Sequence, residues 1–166
     1  MVANAYPRTF VPADVTVRDF AEVEPLYRAL IDRPIDSPGA LRQWLDDVSE
    51  LYAVVDEVAN RRYIDKSRHT EDGAIEREYL RFVQEIEPRI KPLFFQLQKR
   101  FLDSPYRGEL SDPKHRVLAM RWQAEVDIFR EANVPLETRI TTLVSEFDKL
   151  CGAMTVKFQG REETLQ

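Results

Sequence analysis

From Phe20 to Leu150 the apolar residues of this chain return every three or four positions, interrupted only where prolines and turn-forming residues cluster. That period matches one face of an α-helix and is incompatible with a sheet, so a bundle of long amphipathic helices is the expected fold. Only 5 glycines in 166 residues, with 43% hydrophobic and 32% charged residues, leave few flexible joints and supply apolar and solvated faces in the ratio such helices need. One domain is the default at this length.

The starts and stops follow from capping chemistry. Pro7 and Pro12, with no helical period around them, predict an extended N-terminal arm over residues 1–15 lying on the body. Phe20, Val23, Tyr27, Leu30 and Ile31 predict a short helix, placed at about 24–32 because Pro25 fits a first-turn position. Ser37 followed by Pro38 is a cap and a first helical residue, opening a long helix that ends near Ser67. Thr70 offers the next cap, and Pro88 and Pro92 predict a kink or restart in the helix it begins, which carries its stripe on to Phe101. Asp112 with Pro113 repeats the cap-then-proline start for a helix to about Ala132. Pro135 and Glu137 open a last helix, with Gly152 as its stop. The expected core is built from the stripes of the helices beginning near Ser37, Thr70, Asp112 and Pro135, the last contributing Ile140, Leu143, Val144, Phe147 and Leu150.

Beyond Gly152 the period falls to two. Met154, Val156 and Phe158 alternate with Thr155 and Lys157, which predicts a strand. Gln159 and Gly160 then form a tight turn, with Glu163, Thr164 and Leu165 beginning a returning strand. The expected organisation is an arm over 1–15, a mainly all-α antiparallel bundle over 16–152, and the start of a β-hairpin over 153–166.

A search for chemistry finds no catalytic, cofactor-binding or metal-binding residues to assign. Zinc hydrolysis through HExxH needs two histidines one helical turn apart with a glutamate between them, and that motif is absent. His69 and His115, the only histidines, read as surface residues. A di-iron carboxylate bundle would need Glu three residues before His, but those positions hold Lys66 and Asp112. Cys151, at a predicted helix C-terminus, reads as a small buried apolar residue, because an activated thiol wants a helix N-terminus or a paired histidine. The cations Arg61, Arg62, Lys66, Arg68 and His69 could dock peptide carboxylates, yet their place at a helix C-terminus is the ordinary one for solvated cations. Trp44, Phe82, Phe94 and Phe101 could line an apolar ligand pocket, and at helical spacing read as core. A net charge of −5 speaks against nucleic acid and acidic membrane surfaces as partners. One cysteine makes no internal disulfide, the N-terminus lacks a signal-peptide pattern and no apolar run nears the roughly 20 residues of a bilayer span, so cytoplasmic residence is expected.

The stretch from Asp127 to Gln166 carries Asn133-Val134-Pro135-Leu136-Glu137, Gly152-Ala153-Met154-Thr155-Val156, Gly160 and Thr164-Leu165. These resemble the segment preceding the catalytic domain in oligoendopeptidase F-like members of the thimet-oligopeptidase class of zinc metallopeptidases. Arg8-Thr9-Phe10-Val11-Pro12, Ile35-Asp36-Ser37-Pro38 and Arg62-Tyr63-Ile64 resemble that family's N-terminal helices. The resemblance implies that this chain alone is no enzyme. It implies a non-catalytic N-terminal lid or wall that restricts access to a peptide-cleaving channel, with the hairpin as the connector to a catalytic domain. Zinc and oligopeptides are then expected in the parent enzyme, with no cofactor in this chain and its own catalytic domain as partner. The alternative is a free-standing helical interaction protein. A homodimer is compatible with either account.

Overall fold

The computed structural model describes residues 8–164, and within them the chain is mainly helical. Helices α1 (Phe20–Asp32), α2 (Pro38–Arg68), α3 (Gly73–Arg81), α4 (Glu87–Leu102), α5 (Pro113–Ile128) and α6 (Val134–Gly152) are followed by an antiparallel hairpin of β1 (Thr155–Phe158) and β2 (Arg161–Thr164). The first seven residues of the expected arm, and Leu165 of the expected returning strand, lie outside the described residues.

Local chemistry sets the helix ends, and in three places it moves them from the expected positions. Helix α1 begins at Phe20 rather than near Glu24, because Asp19 and Glu22 form a capping box that closes the first turn. Pro25 therefore lies inside the helix, where it and Ala21, whose carbonyl loses its partner, are both exposed to water. Helix α3 is capped by Asp72 rather than Thr70, its carboxylate accepting from the Ala74 and Ile75 amides at 2.8 and 3.3 Å. Helix α5 stops at Ile128, short of Ala132, as Phe129 turns extended and stacks on Phe95 with ring centroids 4.4 Å apart. Ser37 and Asp112 cap α2 and α5 as expected.

The interruption expected at Pro88 takes the form of a π-helical turn, Phe82–Ile86, that joins α3 to α4 without a break. The Glu87 amide reaches back five residues to the Phe82 carbonyl. Widening the turn just before a residue with no N–H relieves the clash of its ring with the preceding turn. Pro92 is absorbed within α4.

The core gathers the inner stripes of α1, α2, the π turn and α4, with Leu30, Leu41, Trp44, Leu97 and Phe101 fully enclosed. The Trp44 indole N–H donates to the Leu30 carbonyl at 2.8 Å, which satisfies the one polar atom that ring brings inside. The described part of the arm, from Arg8, is tied down by two carboxylates. Glu50 accepts the amides of Thr9, Phe10 and Val11 at 2.8–3.0 Å, and Glu22 accepts those from Thr16 to Asp19 at 2.9–3.2 Å. Between them Val17 is wholly buried at a φ of 53°, a left-handed conformation that a β-branched residue adopts only when its surroundings hold it there.

The expectation for α6 is overturned: its apolar stripe is not in the core. Only Val134 and Ser145 of that helix are buried. Gly152 is its last helical residue and not a left-handed stop. The hairpin turns through Gln159 and Gly160, both at positive φ (50° and 79°), the mirror-image turn whose twist suits a two-residue connection. Strand β1 is exposed along its whole length.

Candidate functional site

Helix α6 is turned inside out relative to an ordinary surface helix. Toward the bundle it presents Val134, Thr138, Thr141, Thr142 and Ser145, small residues that allow close approach. The three threonine hydroxyls donate to carbonyls one turn back in the same helix at 2.9–3.0 Å. Polar contacts fix the rotation. Lys91 on α4 meets Glu137 at 2.8 Å, Gln84 on the π turn donates to Thr142 at 3.3 Å, and Lys149 meets Glu76 on α3 at 2.7 Å. Burial pulls the Lys91 ammonium down, but its bonds to Glu137 and Glu87 outweigh this and hold it above the usual lysine value.

At about 100° per residue the opposite side of the cylinder carries Leu136, Ile140, Leu143, Val144, Phe147 and Leu150. These six side chains are 52–69% exposed, in unbroken succession along the helix. The hairpin continues the apolar character through Met154, Val156 and Phe158, also largely exposed. Residues 136, 140, 143, 147 and 150 are spaced four, three, four and three apart, the a and d positions of a heptad, flanked by Arg139 and Glu146. Scattered exposed apolar residues need no explanation, but a continuous stripe with a connected hairpin is the mark of an interaction surface.

The singled-out side chains fall elsewhere. His69 is exposed in the turn after α2. His115 is not on the surface: it is buried in the first turn of α5, with Nδ1 lacking a partner. Cys151 is half-buried rather than buried, in a small cleft beside Lys66 and His69. Of the basic cluster, Arg61, Arg68 and His69 are exposed. Arg62 and Lys66 depart from the expected solvated state. Arg62 donates to the Val17 carbonyl at 3.0 Å and lies over the Phe82 ring; Lys66 is buried over the Tyr79 ring and 3.5 Å from Asp148. Aromatic faces and long apolar stems make such burial affordable. Trp44, Phe82 and Phe101 are core, whereas Phe94 is half-buried and lines a cleft between α2 and α4. Among the described residues no three His, Cys, Asp or Glu side chains converge as metal ligands would.

A family model described as "Peptidase M3 N-terminal domain" matches residues 10–129, from the arm to the end of α5. No curated protein and no solved structure matches the chain. Helix α6 and the hairpin lie beyond the matched stretch.

Proposed function

Because the chain belongs to the peptidase M3 N-terminal domain family, we propose that it is the non-catalytic lid or wall of a cytoplasmic, oligopeptide-cleaving zinc metalloendopeptidase of the oligoendopeptidase F type. In this reading the outer face of α6 and the hairpin are where the metal-binding catalytic domain packs. Zinc would be held wholly by that domain, supplying the Lewis acid for peptide hydrolysis. The observation that carries the proposal is the inverted amphipathicity of α6. Its bundle side is already packed with small residues and polar contacts to α3, α4 and the π turn, so the apolar side has burial still to gain. Six half-exposed side chains represent on the order of 6 kcal/mol of unrealised apolar burial. A lid of packed helices would admit flexible oligopeptides and turn away folded proteins by size.

The test compares the 166-residue chain with one in which the metal-binding half of an M3-class peptidase follows residue 166. The extended protein is expected to retain zinc, to cleave quenched-fluorescence oligopeptides and to slow amide exchange over residues 136–150. An α6 that exchanges equally fast in both proteins defeats the docking assignment.

A second reading, self-association, is favoured by the heptad spacing itself. Two copies of α6 packed antiparallel about Leu143 would set Arg139 of each copy near Glu146 of the other. Sedimentation discriminates: a dimer that persists in the extended protein supports this reading over docking.

A further inference from the structure

Between α2 and α4, closed at one end by the start of α6 and the end of α5, lies an open cleft of about 690 Å³. That volume is within the roughly 300–1,000 Å³ typical of ligand pockets. Two features single it out. Tyr27 and Tyr79 line it with their rings enclosed, 2% and 9% exposed, and among the described residues neither hydroxyl has a hydrogen-bond partner. Burial, with Tyr52 adding to it for Tyr27, pushes both phenols up, so each remains a neutral donor and acceptor.

The second feature is charge. Asp56, Glu87, Glu125 and Glu137 stand around the cleft; Lys91 holds Glu87 and Glu137 at 3.3 and 2.8 Å and Arg121 holds Glu125 at 2.9 Å, so among the described residues Asp56 is the carboxylate there without a cationic partner. Tyr52 and Tyr63 are half-exposed at the same mouth. A net negative mouth with a cation-free carboxylate at Asp56, lined by tyrosine rings, is the complement of a long cationic side chain. Its stem lies on the rings, its charge answers the carboxylates and its N–H can donate to the phenol.

We propose that this cleft binds an oligopeptide through a lysine or arginine side chain. Calling that peptide a substrate rests on the lid reading; the binding itself does not. An acidic peptide meets like charge here, and an apolar one leaves the phenol unpaired.

The experiment titrates the 166-residue chain, by calorimetry and NMR shift mapping, with three blocked pentapeptides that differ only in a central Arg, Gln or Glu. The arginyl peptide is expected to bind at least about tenfold more tightly than the glutaminyl one, weakening with salt, with shifts at the Asn60 and Gln98 side-chain amides. Tyr27→Phe, which keeps the buried ring, is expected to weaken it about tenfold by removing an acceptor for a charged donor. Asp56→Asn, at the exposed mouth, should weaken it a few-fold without disturbing the core. Equal affinity for the arginyl and glutaminyl peptides, or no arginyl binding at millimolar concentration, overturns the proposal. Because α6 exchange is read separately, loss of peptide binding with intact docking defeats only this inference. Peptide binding without docking defeats only the lid.

Discussion

Replacing Glu50 by Gln probes what fastens the arm to the bundle. The Glu50 carboxylate accepts the amides of Thr9 and Phe10 at 3.0 Å and of Val11 at 2.8 Å, and the Thr9 hydroxyl at 3.0 Å. A hydrogen bond to a charged group contributes roughly 1.5–3 kcal/mol when enclosed, but this carboxylate is only half-buried and water can replace it in part. Glutamine keeps one acceptor oxygen and loses the charge. The expected cost is about 2 kcal/mol at pH 7, which for a domain of this size lowers the melting temperature by about 4–8 °C. Burial pushes the Glu50 carboxyl up, but the backbone bonds from Thr9, Val11 and Phe10 and the Thr9 hydroxyl outweigh it and hold it below the usual value. A depressed folded-state value places this stabilisation above the unfolded carboxyl value, near pH 4.3, and removes it as pH falls through the lower folded one. The gap between wild type and Glu50→Gln in urea unfolding should thus be full at pH 7 and close toward pH 3. Glu57→Gln, at an exposed pair with Arg61, serves as control and should change stability by less than about 0.5 kcal/mol. A gap absent at pH 7, or undiminished at pH 3, refutes the clamp.

Phe147→Glu, on the outer face of α6, should leave the stability of this chain within about 0.5 kcal/mol of wild type, whereas Leu97→Ala, fully enclosed, should cost about 2–5 kcal/mol. Equal losses in urea unfolding would mean that the outer stripe of α6 is buried after all. Ser145→Ala should raise stability by about 1 kcal/mol, since its hydroxyl is buried without a partner and alanine favours helix; a loss of similar size on thermal unfolding contradicts that account. Cys151, half-buried, should react with an alkylating reagent in the native protein within about tenfold of its rate in denaturant, and a far larger protection factor would place it in the interior.

What the sequence made legible was whatever depends on neighbours along the chain. Ser37-Pro38 and Asp112-Pro113 are complete signals, cap and first helical residue side by side, and both helices start there. The Asp19 and Glu22 box is equally local, and placing Pro25 in the first turn leaves it out of the helix it caps. The helix tolerates that proline because the carbonyl it orphans faces water. What stayed hidden was burial of polar groups. Nothing beside His115 or Lys66 in sequence announces that it will be buried, Lys66 over the ring of Tyr79. The cleft was hidden for the same reason, since Tyr27, Asp56, Tyr79, Glu125 and Glu137 come from five different helices.

Helix α6 sharpens the distinction between knowing that a face wants burial and knowing what buries it. An apolar period fixes which side chains share a stripe, and it did so correctly for Ile140, Leu143, Val144, Phe147 and Leu150. It is silent about whether the bundle or another body covers them. A second period runs through the same helix: Val134, Thr138, Thr141, Thr142 and Ser145, small residues at helical spacing on the far side. A helix that meets one neighbour and water fills its second face with long charged side chains, as α2 does with Arg61, Asp65 and Arg68. One with a close-approach face on one side and a heptad stripe on the other is shaped to lie between two packed bodies. The bundle is the first of these, and in the proposed lid the catalytic domain is the second.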